Sequence, residues 1–284
     1  MSVVVHNVEP VEATIENVTD AARQRRRLLR PIGAGLRLSF VPIFVFIVWT
    51  VAAATLGSIA VASPSETFRA VSDGFSAGWL SEALRATLIG TAAAFLVAAV
   101  IGLALGFLMG LSRFWGAVLE PPLVWFYAIP KVTLYPIFLL FLGLTVESKV
   151  AFAALHGFIP LALFIVSGVR NVRPVYFKVA KVYGLSRWQT IRRVVLPNAL
   201  PSVVVGLQYC FSLSFIGLVF AELFAATEGT GYELIQAISL HRVPDTFGIA
   251  LVLVIFALLV NGAFSLLVNT VESRRGVQVR RSVK

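Results

Sequence analysis

Six apolar stretches alternate with polar segments along the chain, and each is long enough to form a membrane-crossing helix. Because a helix rises about 1.5 Å per residue, about 20 apolar residues cover the hydrocarbon core of a bilayer. The stretches lie at about residues 41–62, 84–111, 118–144, 148–169, 202–225 and 247–270. The pattern therefore predicts an all-α, polytopic transmembrane bundle of about six spans.

The composition agrees with a membrane protein, and the charges predict its orientation. Apolar residues make up 58% of the chain and charged residues 13%, and the mean hydropathy is +0.88. The formal net charge of +10 would indicate a nucleic-acid partner in a soluble protein, but most Lys and Arg residues flank or link the apolar stretches on alternate sides. This positive-inside distribution argues against nucleic acid, favours contact with membrane lipid, and predicts that both termini face the cytoplasm.

The same boundaries divide the chain into three parts. Residues 1–36 are predicted to form a cytoplasmic N-terminal arm, residues 37–272 the transmembrane domain and residues 273–284 a cytoplasmic tail. The arm places acidic residues before a run of arginines, so it is either a solvated tail or a helix lying against anionic headgroups.

The third apolar stretch carries four prolines and a lysine. Prolines break the hydrogen bonding of a helix, which is tolerated best where the helix lines a cavity walled by protein. Lys131, beside Pro130, would cost about 2.5 kcal/mol or more at the centre of a bilayer. Either Lys131 faces a translocation path and attracts an anionic solute, or a break at Pro130 lets it reach the interface, or it pairs with an acid such as Glu222.

The fifth stretch contains the other intramembrane polar residues. Gln208 and Ser212 share one helix face, whereas Glu222 lies near the outer end, where it could close a gate, pair with a base or contact headgroups. The candidate substrate-pathway residues are Lys131, Tyr135, Gln208, Ser212 and Glu222.

A second pattern concerns helix packing. Gly102, Gly106 and Gly110 recur every four residues in the second stretch. Three missing side chains on one helix face favour close approach of a neighbouring helix. His156, in the fourth stretch, is interpreted as a hydrogen-bonded structural residue.

Motifs for catalysis are not found in the sequence. It contains no GxxxxGK[ST] phosphate-binding loop and no HExxH pair, and its single cysteine, Cys210, lies in an apolar span. The chain is therefore predicted not to be an enzyme and not to hold a metal.

The basic connector, residues 170–201, joins the fourth and fifth stretches. It carries seven Lys and Arg residues and no acid. Gly184 is expected to separate two short helices, and Pro197 to end the second. Leu185, Trp188 and Ile191 form an apolar edge among arginines. This edge would bind either in a groove on a cytosolic partner or on the surface of an anionic membrane.

The spacing of five connector residues resembles the EAA loop of ABC-transporter permease subunits: Ala180, Gly184, Val194, Leu196 and Pro197. The nearest branch is similar to binding-protein-dependent importers of the nitrate, sulfonate and taurine group. Residues 130–143, 196–206 and 228–232 support the resemblance. The family's glutamate falls on Lys178 and its first alanine on Val179.

The resemblance implies the fold of a type I importer permease in the bacterial inner membrane and a set of partners. These are cytosolic ABC ATPase subunits that bind ATP and Mg²⁺, a second permease chain in a homodimer or heterodimer, and a periplasmic or lipoprotein solute-binding protein. The ATPase-coupling loop would contain Lys178, Ala180, Gly184, Leu185, Trp188, Leu196 and Pro197.

The function expected from these observations is transport. The chain would form the path of an ATP-driven importer for a small anion such as a sulfonate, nitrate or carboxylate. Similar permeases carry pyrimidine-like solutes. The alternative is a secondary transporter driven by an ion gradient, although only the third stretch is conspicuously interrupted and no second acid-bearing counterpart is found.

Overall fold

The computed structural model describes residues 40–57 and 59–273, with side chains described as far as residue 270. The regular elements in these ranges are helical. They are α1 Phe40–Leu56, α2 Pro64–Ser76, α3 Trp79–Leu111, α4 Arg113–Ala128, a 3₁₀ turn Lys131–Leu134, α5 Tyr135–Leu142, α6 Val146–Arg170, α7 Pro174–Val182, α8 Arg187–Thr190, a π turn Ile191–Val195, α9 Leu196–Ala225, α10 Thr230–Ser239 and α11 Val243–Ser273. The predicted arm, and the tail beyond residue 273, lie outside the described residues.

The helices confirm an all-α, multi-pass fold. Four of them, α3, α6, α8 with α9, and α11, are long and apolar enough to cross a membrane, and α4 with α5 makes a fifth crossing if the bent pair counts as one span. The first predicted span is shorter than expected. Helix α1 stops at Leu56 because Gly57 adopts a left-handed backbone, with φ of 78°.

Of the described residues, those up to Pro64 form one compact unit and those from Ser65 onward form another. In the first unit, the indole Nε1 of Trp49 donates a hydrogen bond of 2.9 Å to the carbonyl oxygen of Ala62. The second unit contains the other long helices and the candidate functional residues.

In the second unit, α6 lies between α3 and α9, and glycines allow α3 to approach closely. A Cβ atom at Gly106 would lie 2.7 Å from the Cβ of Ile165 and 3.0 Å from the carbonyl oxygen of Ala162. A Cβ atom at Gly102 would lie 2.8 Å from a methyl carbon of Leu161. The prediction that the glycine stripe serves helix packing is therefore confirmed.

The opposite face of α6 packs against α9, again through small residues. A Cβ atom at Gly157 would lie 2.8 Å from the carbonyl oxygen of Cys210. His156 is buried beside this contact, with its Nδ1 atom 3.0 Å from the carbonyl oxygen of Phe152. This confirms the interpretation of His156 as a hydrogen-bonded structural residue.

The third predicted span is broken. Helix α4 ends at Ala128, the chain is extended at Ile129 and Pro130, and α5 leaves at 95° to α4. Pro130 explains the break, since a residue that precedes proline is pushed into the extended region. Pro136 is accommodated in the first turn of α5, where a proline costs no hydrogen bond.

We expect Gly106→Ala to destabilise the α3–α6 contact, because the added methyl group overlaps Ile165 and a rigid backbone carbonyl. Overpacking of this kind costs about 1–3 kcal/mol, which would appear as a lower unfolding temperature of the purified protein in detergent. The matched control is Gly262→Ala in α11, where a Cβ atom meets nothing within 4 Å. Equal unfolding temperatures for the two variants would contradict this account of the packing.

Candidate functional site

The connector folds into a rigid elbow whose first half ends at Gly184. This residue has φ of 65°, which favours glycine. The Leu185 amide donates to the carbonyl of Ala180 at 3.0 Å, and the Gly184 amide to that of Lys181 at 3.0 Å. These two bonds form a Schellman motif, so Gly184 fixes the turn rather than loosening it.

The second half of the elbow starts with a capping box that the sequence analysis did not identify. The Gln189 amide donates to Oγ of Ser186 at 3.2 Å, and the Ser186 amide donates to Oε1 of Gln189 at 2.9 Å. The pattern S-x-x-Q is its sequence signal. With both halves capped by local hydrogen bonds, α8 has a defined direction relative to α7.

Of the residues predicted to form the coupling loop, the elbow buries one and exposes others. Ala180 is buried, Leu185 is half-buried, and Lys178 is exposed. The side chain of Trp188 is 69% exposed. The structure therefore presents an aromatic side chain and basic groups together on the α7–α8 surface.

The prediction that Pro197 ends the second connector helix is wrong. A π turn follows α8 and leads directly into α9, so that one helical segment runs from Arg187 to Ala225. A π turn inserts an extra residue into the helix, and Pro197 then falls in the first turn of α9, where its missing N–H is tolerated. Leu196 is therefore the first residue of α9 and not the end of a loop, and its side chain is exposed.

Lys131 lies in the break between α4 and α5. Its Nζ atom donates to the carbonyl of Tyr127 at 3.2 Å and lies 4.3 Å from the centre of the Tyr127 ring. It thus caps the last turn of α4. Across the described ranges Lys131 forms no ion pair, so pairing with Glu222 is not observed.

Tyr135 is buried and serves packing in this conformation. Its ring centre lies 4.7 Å from that of Phe152, and its hydroxyl is 3.5 Å from the carbonyl oxygen of Ala225. Tyr135 therefore fastens α5 against α6 and α9 while Lys131, four residues earlier, remains partly open.

Gln208 and Ser212 meet a polar residue that the sequence analysis missed. The hydroxyl of Ser212 donates to Oδ1 of Asn261 at 2.8 Å, and Nε2 of Gln208 is 3.4 Å from the same atom. Asn261 lies in α11. The three residues form a polar contact between α9 and α11, of the kind that joins helices inside a membrane.

Glu222 is 2% exposed and lies at the end of α9 away from the connector. The hydroxyl of Thr87 donates to its carboxylate at 2.9 Å, and the amide of Gly231 donates to Oε2 at 2.9 Å. Contact with headgroups, one of the expected roles, is inconsistent with this burial. Thr87 carried no sequence signal, because an isolated threonine is common in apolar helices.

Two cavities mark the ends of the bundle. One of about 800 Å³ lies beside the connector and contains an ion pair of 2.7 Å between Arg170 and Glu120. The other, of about 310 Å³, is lined by Arg85, Lys149 and Glu222. The five predicted pathway residues are thus spread over the helix break, the middle of α9 and its far end, and are not gathered in one pocket.

No group of three or more His, Cys, Asp and Glu side chains that could hold a metal ion occurs in the described part of the chain.

Comparison with known proteins identifies the family. Residues 98–277 match the model of the family described as binding-protein-dependent transport system inner membrane component. The putative aliphatic sulfonates transport permease protein SsuC of Bacillus subtilis is 32% identical. The aligned part is 58% of this chain and 59% of that relative. The taurine transport system permease protein TauC of Escherichia coli is 32% identical, with 66% of this chain and 68% of the relative covered. The formylaminopyrimidine transport permease protein ThiX of Halalkalibacterium halodurans is 28% identical over 80% of this chain and 91% of its own length.

Solved structures show the same fold. A chain of the MetNI methionine ABC transporter in an inward-facing conformation aligns with a TM-score of 0.60 at 19% identity, over 68% of this chain and 96% of that chain. A chain of an amino acid ABC transporter aligns with a TM-score of 0.55 at 19% identity, over 72% of this chain and 97% of its own. The helices, the elbow and the family match agree, and the chain belongs to the binding-protein-dependent transport system inner membrane components, as a multi-pass permease subunit of an ABC importer.

Proposed function

We propose that this chain and a second permease chain form the path for a small organic anion, and that the connector transmits movement from ATP-hydrolysing subunits. ATP and Mg²⁺ would be bound by those partner subunits, because this sequence has no phosphate-binding loop. The observation that carries the proposal is the connector elbow, which is capped on both sides of its bend and continuous with a membrane-crossing helix.

The elbow has the properties of a docking element. Trp188 is exposed beside basic residues, and tryptophan and arginine are the residues most often found at energetic centres of protein interfaces. Apart from Arg170, which pairs with Glu120, the basic residues of the connector form no ion pair within the described residues, so the partner surface should be acidic. Contact with anionic lipid alone would not require that α8 have a defined direction.

The helix that follows makes transmission possible. The segment Arg187–Ala225 contains 39 residues and at about 1.5 Å per residue extends for about 58 Å. A displacement of α8 by a cytosolic partner is therefore carried across the membrane by one helix. The π turn near its start is a natural place for bending.

A second permease chain would explain the exposed broken helix. Pro130 and Ile129 lie at non-helical backbone within the bent α4–α5 pair, and both are exposed. Such backbone is tolerated at membrane depth only against protein or a water-filled cavity. A partner chain opposite α4 and α5, identical or different, would enclose a cavity there, while other apolar faces contact lipid.

The anionic solute is supported by two kinds of observation. Lys131 lies at the exposed break without an ion-pair partner in the described ranges, close to the N-terminal end of α5, where a helix favours negative charge. Two relatives at 32% identity are described as permeases for aliphatic sulfonates and taurine. A binding protein would deliver the solute at the end of the helices opposite the connector.

We expect Trp188→Ala to weaken binding of the ATPase subunit that co-purifies with the wild-type chain. Loss of a central aromatic contact costs about 2 kcal/mol, or roughly thirtyfold in affinity. Titration of that subunit onto the permease in nanodiscs measures the effect. Trp115→Ala, at a tryptophan that is 42% exposed outside the connector, is the matched control. Undiminished binding by Trp188→Ala would contradict docking through the elbow.

The charge of α7 gives a second test of the ATPase interface. Lys178→Glu restores the acid that is usual in the resembled loop, so it should reduce uptake with the native ATPase subunit and raise it with one from a conventional importer. Lys181→Glu, at a lysine less than one helical turn away, is the control. If both variants respond alike to the two ATPases, position 178 does not set the choice of partner.

We expect Lys131→Met to abolish uptake of radiolabelled taurine or ethanesulfonate by proteoliposomes while the complex still assembles. Lys131→Arg should retain uptake, because the positive charge persists at the break. A neutral formylaminopyrimidine provides the comparison solute. Sulfonate uptake by Lys131→Met at the wild-type rate would remove the lysine from solute recognition.

A further inference from the structure

Helix α10 begins at a position that its own sequence does not cap. Its N-cap residue is Gly229, which has no side chain to accept a hydrogen bond from the first turn. The first amides of a helix need acceptors, and these are usually supplied by the preceding Ser, Thr, Asp or Asn. In this chain the acceptors come from two other helices.

Thr87 of α3 and Glu222 of α9 supply those acceptors. The Thr230 amide donates to Oγ1 of Thr87 at 2.8 Å, and the Gly231 amide donates to Oε2 of Glu222 at 2.9 Å. The Thr87 hydroxyl in turn donates to the Glu222 carboxylate at 2.9 Å. The carboxylate also lies at the positive end of the α10 dipole, which stabilises its charge.

The loop before α10 is shaped around the carboxylate. Gly229 has φ of 106°, and a Cβ atom there would collide with the Glu222 carboxylate oxygen. A Cβ atom at Gly231 would lie 2.6 Å from the Cβ of Glu222. The two glycines therefore allow the loop backbone to close over a side chain that is only 2% exposed.

A second contact joins α6 to the same loop. Nζ of Lys149 lies 3.7 Å from Oε1 of Glu228, and the side chain of Lys149 is 9% exposed. Glu228 itself faces solvent more freely. The start of α10 is thus held by α3, α6 and α9 together, all at the end of the bundle opposite the connector.

The rest of α10 is attached independently. Leu234 and Ala237 pack in an apolar cluster with Phe215 of α9 and with Ile249 and Leu253 of α11. This cluster does not involve Glu222. Removal of the carboxylate should therefore release the first turn of α10 while the helix itself remains docked.

We propose that Glu222 is a positioning residue for transport, which fastens the first turn of α10 to α9 so that this turn follows the movement of α9. Helix α9 joins the two sites, since its helical segment starts at Arg187 in the elbow and carries Glu222 in its last turn. The inference rests on the proposed function, in which a binding protein acts at the far end and an ATPase at the elbow.

The test uses the full transporter complex in lipid nanodiscs with Glu222→Ala, Glu222→Gln, Thr87→Val and Thr87→Ser. Hydrogen exchange followed by mass spectrometry reports the amides of residues 228–233 separately from those of 234–239. The rate of ATP hydrolysis is measured alone and with the cognate binding protein saturated with taurine or ethanesulfonate. Glu147→Ala, at an exposed acid in the first turn of α6, is the matched control.

In Glu222→Ala and Thr87→Val, we expect exchange in residues 228–233 to be about tenfold faster or more, with residues 234–239 unchanged. Basal hydrolysis should stay within about twofold of the wild type, while the maximal stimulation by binding protein falls about fivefold or more. Thr87→Ser keeps the hydroxyl and should behave as the wild type. Glu222→Gln retains one acceptor and should be intermediate.

Two results would overturn the positioning role: unchanged exchange in residues 228–233 of Glu222→Ala and Thr87→Val, or full stimulation despite faster exchange. If Glu222→Ala does not assemble, Thr87→Val compared with Thr87→Ser decides the same question. A wild-type complex that no binding protein stimulates would instead overturn the proposed function, and the exchange measurement would still report on the contact.

Discussion

The close packing of α6 between α3 and α9 is the contact on which the rest of the structure depends. Inside a membrane the apolar effect does not drive helices together, so van der Waals contact and polar bonds must do so. Gly106 of α3 and Gly157 of α6 lack the side chains that would hold α6 away from α3 and from α9, and carbonyl oxygens of the facing helices lie close to both glycines. The α4–α5 pair and α11 pack less deeply around this core and leave apolar faces exposed.

The two ends of α9 lie on either side of this rigid core. At one end the helical segment begins in the elbow at Arg187, and at the other Glu222 is buried under the first turn of α10. Since α9 cannot slide far against α6 without overlap at Gly157, tilting or bending is the movement left to it. The π turn lies between α8 of the elbow and the membrane-crossing part of α9.

The sequence predicted the elements well because each is governed by local rules. Apolar length predicted the four long apolar helices, although the first stretch forms a shorter helix. Gly184 predicted the bend of the elbow, and Pro130 the break before α5. The prediction for Pro197 was wrong, because a proline can either end a helix or occupy the first turn of the next one. The π turn leads directly into α9 and so places Pro197 in a first turn. The partners of the polar residues were the least predictable. Thr87 lies 135 positions from Glu222, and no local pattern joins them.

The central claim is that a cytosolic ATPase grips the elbow, and the most direct measurement of it is photo-crosslinking in living cells. A photoreactive amino acid placed at position 188, where the wild-type Trp188 is 69% exposed, would form covalent products with whatever touches α8. The account predicts one main product, which mass spectrometry identifies as a protein with a GxxxxGK[ST] phosphate-binding loop. Products formed only with lipid, or only with proteins outside the cytoplasm, would contradict it.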